Sequence, residues 1–72
     1  MREYKFSMAL SAARTHSIYQ GMARYILVES DQGLKLQLPA VNFRQYVTDD
    51  GIHGYFSVQI DDSNKIINLR RL

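Results

Sequence analysis

The sequence predicts one small α+β domain. Its centre is a curled, mostly antiparallel five-stranded sheet, or partly open barrel, with one N-terminal helix and one short helical turn, in the order β-α-β-β-(α)-β-β. Three observations carry this. Five segments either alternate apolar and polar residues or are rich in β-branched and aromatic types. Two of the junctions between them, Asp31-Gln32-Gly33 and Asp61-Asp62-Ser63-Asn64, carry hairpin chemistry. The chain has only 72 residues, and a domain of that size buries about 60% of the surface its unfolded form exposes. Nearly every large apolar side chain is therefore needed in a single core. A second domain, a large catalytic scaffold and a deep enclosed pocket are excluded.

The elements follow in order. In residues 4–10, Tyr4, Phe6, Met8 and Leu10 share one face, and Lys5, Ser7 and Ala9 the other, the period-2 mark of a half-buried strand. Ser11 is an N-cap for a helix that Ala12 and Ala13 open and that runs to about Gln20, with Gly21 at C′. Its apolar face is expected to hold Ala12, Thr15, Ile18, Tyr19 and Met22. Residues 22–30 form the second strand. Residues 34–38 form the third, with Leu34, Leu36 and Leu38 inward and Lys35 and Gln37 outward, ended by Pro39.

Residues 40–47 have the composition of one or two helical turns, with Val41, Phe43, Tyr46 and Val47 as the apolar residues. Residues 49–54, DDGIHG, form a loop or bulged turn. Residues 55–60 alternate again, with Phe56, Val58 and Ile60 inward. In the last strand, 65–72, Ile67 and Leu69 compete with Ile66 and Leu72 for the buried face.

The absence of cysteine removes disulfides, thiolate metal sites and cysteine nucleophiles together. A 46% hydrophobic and 22% charged composition is ordinary for a globular domain and argues against disorder. No apolar run approaches a membrane span or the core of a signal peptide, so a soluble, cytoplasmic protein with no membrane contact is expected. The net charge of +2 hides an asymmetry: residues 1–47 carry six basic and three acidic side chains, residues 48–72 three and four. The acids pair at turns, Asp49–Asp50 and Asp61–Asp62. A dedicated nucleic-acid binder shows a denser basic stripe.

Motifs along the whole chain resemble a family of short bacterial proteins, mainly gamma-proteobacterial, defined by a domain of unknown function. They are Tyr4 and Phe6 in the first strand, Tyr19 and Gly21 at the helix end, LQLPA (Leu36 to Ala40), an aromatic at Tyr46, DGIHG (Asp50 to Gly54), and the closing Arg71-Leu72. Tyr46 stands where Phe would be expected. The resemblance implies a small cytoplasmic protein and supplies no catalytic residue.

Two groups of residues are candidate sites. Asp49, Asp50 and His53 place two carboxylates and an imidazole within five residues, the material of a metal or acid–base site that His16 from the helix would complete. Adjacent aspartates on an extended chain point apart, however, and a tight turn at Asp50-Gly51 accounts for the same residues. Arg14, Arg24, Lys35, Arg44, Arg70 and Arg71 form the second group, which would line one side of the sheet beside Tyr25 or Tyr55. Arg70 and Arg71 serve equally well to protect an edge strand.

No nucleophile–base pair, phosphate loop or dinucleotide fingerprint is present. No enzyme, metal or cofactor is therefore expected. The expected function is a small non-enzymatic binding or adaptor module acting through a protein partner or a homodimer. The alternative is a nucleic-acid-binding accessory protein using the basic and aromatic surface.

Overall fold

A computed structural model describes residues 1–72. Its elements are β1 (Arg2–Leu10), α1 (Ala12–Tyr19), β2 (Tyr25–Glu29), β3 (Lys35–Pro39), a 3-10 helix (Ala40–Tyr46), β4 (Ile52–Ile60) and β5 (Ile66–Arg71). The order is the expected one, and all pairing is antiparallel. The five strands divide into two sheets, β1-β4-β5 and β2-β3, and no closed barrel forms. The division arises where β2 approaches β1. There a single bond, from the Asp31 N–H to the Lys5 carbonyl (2.8 Å), ties the hairpin to the edge of β1.

One core fills the space between the sheets. Opposite residues of an antiparallel pair share a face, so the pairs Phe6–Phe56, Tyr4–Val58 and Leu10–Ile52 place the apolar phase of β1 against that of β4. The pairs Ile26–Leu38 and Val28–Leu36 do the same for the hairpin. Phe6, Phe43 and Phe56 are fully buried at the centre. Phe43 arrives from the 3-10 helix and meets Phe6 and Phe56 edge-on, at centroid distances of 6.2 and 6.1 Å. Every buried side-chain polar atom has a hydrogen-bond partner. Thr15, buried on α1, donates to the Ala12 carbonyl.

Three expectations are corrected by packing. Leu34 is exposed, because the β2–β3 ladder begins only at Glu29–Lys35 and leaves Leu34 in the turn, where its N–H donates to the Ser30 hydroxyl. On α1 only Thr15 and Ile18 are buried. The helix stops at Tyr19, so Met22 leaves its register, and Ala12, Tyr19 and Met22 face outward. In β5 neither expected face holds. A register shift around Ile67 takes the strand from Ile60–Ile66 to Gln59–Asn68, so Ile66 and Leu69 turn inward together while Ile67 and Leu72 are exposed.

The free edge of β5 is blunted in two ways. The irregularity at Ile67 bends it. The Tyr46 hydroxyl donates to the Leu69 carbonyl (3.1 Å). Arg71, opposite Phe56 on the core side of the sheet, folds its side chain over Gly54, where a Cβ would lie 2.8 Å from Nε. The Tyr46→Phe variant should lose about 1 kcal/mol, the net worth of one hydrogen bond, seen as a lower urea midpoint at unchanged slope. An unchanged midpoint would show that this bond does not hold the edge.

Candidate binding face

The expected loop over 49–54 is shorter in the structure: residues 48–51 form a turn, and Ile52, His53 and Gly54 already pair with β1 as the start of β4. Thr48 and Gly51 exchange two backbone hydrogen bonds, and the Thr48 hydroxyl donates to the Gly51 carbonyl. The Asp50 N–H donates to the Thr48 hydroxyl. His53 Nε2 donates to the Asp50 carbonyl at 2.8 Å, so that nitrogen carries the hydrogen. The Asp49 and Asp50 residues are exposed, and neither carboxylate takes part in a hydrogen bond or ion pair. His16 lines a groove with Asp49, but His53 is outside it. Nowhere do three or more His, Asp or Glu side chains converge in a metal-binding arrangement.

The six basic candidates fall into four places. Lys35 sits opposite Glu29 on the outer face of the hairpin, four residues along β3 from the Tyr25–Pro39 pair, or about 13 Å. Arg70 lies on the outer face of the three-stranded sheet, in a row with Ser57 and Lys5, while Arg71 lies on the core side over Gly54. On that outer face the Tyr55 hydroxyl donates to the Asp31 carboxylate, and Ser57 donates to Glu3 at 2.8 Å. The bond to Asp31, then burial and the Asp31 charge, hold the Tyr55 phenol above its ordinary pKa. At the β4–β5 turn, the N–H groups of Lys65 and Ser63 hold the Asp61 carboxyl below its ordinary value.

Arg14, Arg24 and Arg44 line two adjoining grooves. Arg14 projects from α1, Arg24 precedes β2, and Arg44 belongs to the 3-10 helix. Two grooves lie on either side of Tyr25 and share it, with Ile18 and Ala23, as a common wall. The first, about 410 Å³, holds Arg24 and Arg44. The second, about 350 Å³, holds Arg14 and Leu27. Arg44 also lies over the Tyr19 ring, 5.2 Å from its centroid, a cation–π contact that orients the guanidinium. None of the three arginines has a carboxylate within 4.0 Å, because the molecule's one ion pair joins the Met1 amino group to Asp62. Neither groove is lined by an acidic residue.

Between these cations the surface is apolar. Leu27, Val41 and Tyr25, which line the two grooves, are exposed by 74%, 71% and 59%. Monomeric proteins seldom leave large side chains of this kind grouped. The sequence marks Tyr25 and the arginines as candidates, and it does not mark Leu27 and Val41 as site residues. One signal was present. In Tyr25–Glu29 the buried phase is Ile26 and Val28, which leaves Leu27 apolar on the outward phase.

Over residues 2–72 the chain matches the family described as "Protein of unknown function (DUF2835)". No curated protein and no solved structure matches it. No helix is long and apolar enough to cross a membrane.

Proposed function

The chain belongs to the DUF2835 family, and from its own surface we propose that it is a non-enzymatic binding module acting through a protein partner with an acidic rim. One observation carries the reading: exposed apolar side chains around Tyr25 are ringed by Arg14, Arg24 and Arg44, none of them ion-paired. An apolar centre with a polar rim, enriched in Tyr, Met and Arg, is the composition of protein interfaces. The charge of the rim names the partner's charge. A homodimer through this face fits less well. A two-fold contact apposes the same surface on both copies, which brings one set of arginines toward the other.

Tyr25→Ala removes the central side chain. Truncating an interface anchor costs about 2 kcal/mol, roughly thirtyfold in affinity. In capture from a cell extract, the wild type and a Leu34→Ser control, altered at an exposed residue outside these grooves, should retain an acidic protein that Tyr25→Ala loses. A retained set indifferent to Tyr25→Ala would overturn the reading. So would capture that depends on nucleic acid, or a dimer in sedimentation that Tyr25→Ala dissolves.

A further inference from the structure

The surface around Tyr25 continues beyond its two grooves. Val41 and Arg44, which close the Arg24 groove on one side, also open a third groove of about 630 Å³. Its far wall is β5, from Ile66 to Leu69, and Asn42 and Gln45 lie along its near side. Shared wall residues thus set three grooves side by side, as one line of adjoining depressions that a ligand crossing the low walls would follow as a channel. It leads from Arg14 on α1, past Tyr25 and Arg24, across the 3-10 helix at Arg44, to Ile67 on β5. No Asp or Glu lines any part of it. The acids that line grooves, Asp49, Glu3 and Asp31, are all in the other two.

We propose that this channel receives an extended acidic segment of the partner, a stretch of polypeptide in which carboxylates alternate with apolar side chains. The inference rests on the protein-binding reading above and adds the shape of what binds. Three grooves separated by shared walls at Tyr25 and at Val41 and Arg44 offer no single trough for a helix, whose diameter with side chains is about 10 Å. An extended chain presents side chains to both sides every second residue. Its apolar phase then meets Leu27, Tyr25, Val41 and Ile67, and its acidic phase meets Arg14, Arg24 and Arg44.

The contacts are made by side chains. Addition of a strand to β5 is disfavoured by the Tyr46 bond to Leu69 and the irregularity at Ile67. A single nucleic-acid strand is the weaker fit. Such binders stack successive bases on several aromatic rings, and Tyr25 is the one aromatic lining the channel.

The test uses three labelled probes of equal length and the isotopically labelled full chain. The first probe is a peptide of about ten residues alternating Asp and Val; fully extended it spans about 33 Å, against a longest molecular dimension of 32 Å. The second is a peptide of the same charge built from Glu, Ala and Leu and held helical by a hydrocarbon staple, because about ten residues alone do not keep a helix in water. The third is oligo(dT). Amide shifts and fluorescence anisotropy are read at low and moderate salt.

The alternating peptide should shift signals from Arg14, Tyr25, Arg44 and Ile67 together. Its affinity should fall about tenfold or more in the Arg24→Glu/Arg44→Glu variant and stay within about twofold in Lys35→Glu, which lies off the channel. If the helical peptide binds as well, or shifts stop at Tyr25 and never reach Ile67, the extended-segment inference fails while the Tyr25 face stands. If oligo(dT) alone binds the channel, both readings fail. If no probe shifts it, the extended-segment inference fails, and Tyr25→Ala capture decides the other independently.

Discussion

Replacing Gly51 by alanine leaves most of the chain unfolded at room temperature. Gly51 is buried, with φ at +105°, a backbone region that costs a residue with a Cβ about 1–3 kcal/mol. Space is the larger obstacle. A Cβ there would lie 1.9 Å from the Leu10 carbonyl oxygen, 2.7 Å from the Ser11 carbonyl carbon and 3.0 Å from the Ala12 nitrogen. All three are backbone atoms at the junction of β1 and α1, so no side chain can swing aside to relieve the overlap. Strain and forced backbone movement together cost about 4 kcal/mol or more, comparable to the lower end of the total stability of a domain of this size.

Gly33→Ala separates the two causes. Its φ is +81°, and nothing lies within 4 Å of a Cβ there, so only the conformational cost of about 1 kcal/mol applies. Urea denaturation followed by far-UV circular dichroism reads both. A Gly51→Ala midpoint no lower than that of Gly33→Ala would show that the β1–α1 junction yields.

Phe56→Ala should cost about 4 kcal/mol. Phe56 is fully buried on β4, stacked on Phe6 at 5.8 Å and met edge-on by Phe43 and by Tyr46, the latter at 5.2 Å. It therefore links the three-stranded sheet to the 3-10 helix, and each aromatic pair contributes about 0.5–1.5 kcal/mol beyond its buried area. Truncation leaves a cavity bounded by three other rings, and rigid rings close poorly around a void.

The loss reaches further than the core. Tyr46 holds the Leu69 carbonyl, so a Tyr46 ring freed to move also releases the edge of β5. Phe56→Leu, which keeps most of the volume, should cost no more than about 1.5 kcal/mol and leave that edge in place. A thermal transition of Phe56→Ala within a few degrees of the wild type would mean that the core refills the space.

The strands, the capped helix and both hairpins were legible because each depends on residues only a few positions apart. Alternation in Tyr4–Leu10 and Tyr55–Ile60, the Ser11 cap and the turn at Asp31–Gly33 are local signals, and each is realised. Residues whose burial depends on distant elements were not legible. Leu34 alternates with Leu36 and Leu38 yet is exposed, because the ladder starts one residue later. Tyr19 fits the apolar face of α1 yet lies under Arg44, because the helix is too short to carry that face into the core. β5 was ambiguous in sequence because its register shift moves Ile66 and Leu69 onto one face at a spacing of three, which neither strand phase predicts.

For the candidate site, composition identified which residue types were available and spacing along the chain misjudged which of them meet. Asp49, Asp50 and His53 are neighbours in sequence, and the turn at Thr48–Gly51 engages the His53 ring with backbone while leaving the carboxylates apart. Arg14, Arg24 and Arg44 are ten and twenty residues apart and line adjoining grooves. By itself the sequence determined the order and type of the elements and the absence of thiol chemistry, because these follow from local periodicity, turn chemistry and composition. The tertiary structure alone decided that three unpaired arginines and a group of outward apolar residues line adjoining acid-free grooves. Only packing between α1, β2, the 3-10 helix and β5 brings segments so distant along the chain to a common surface.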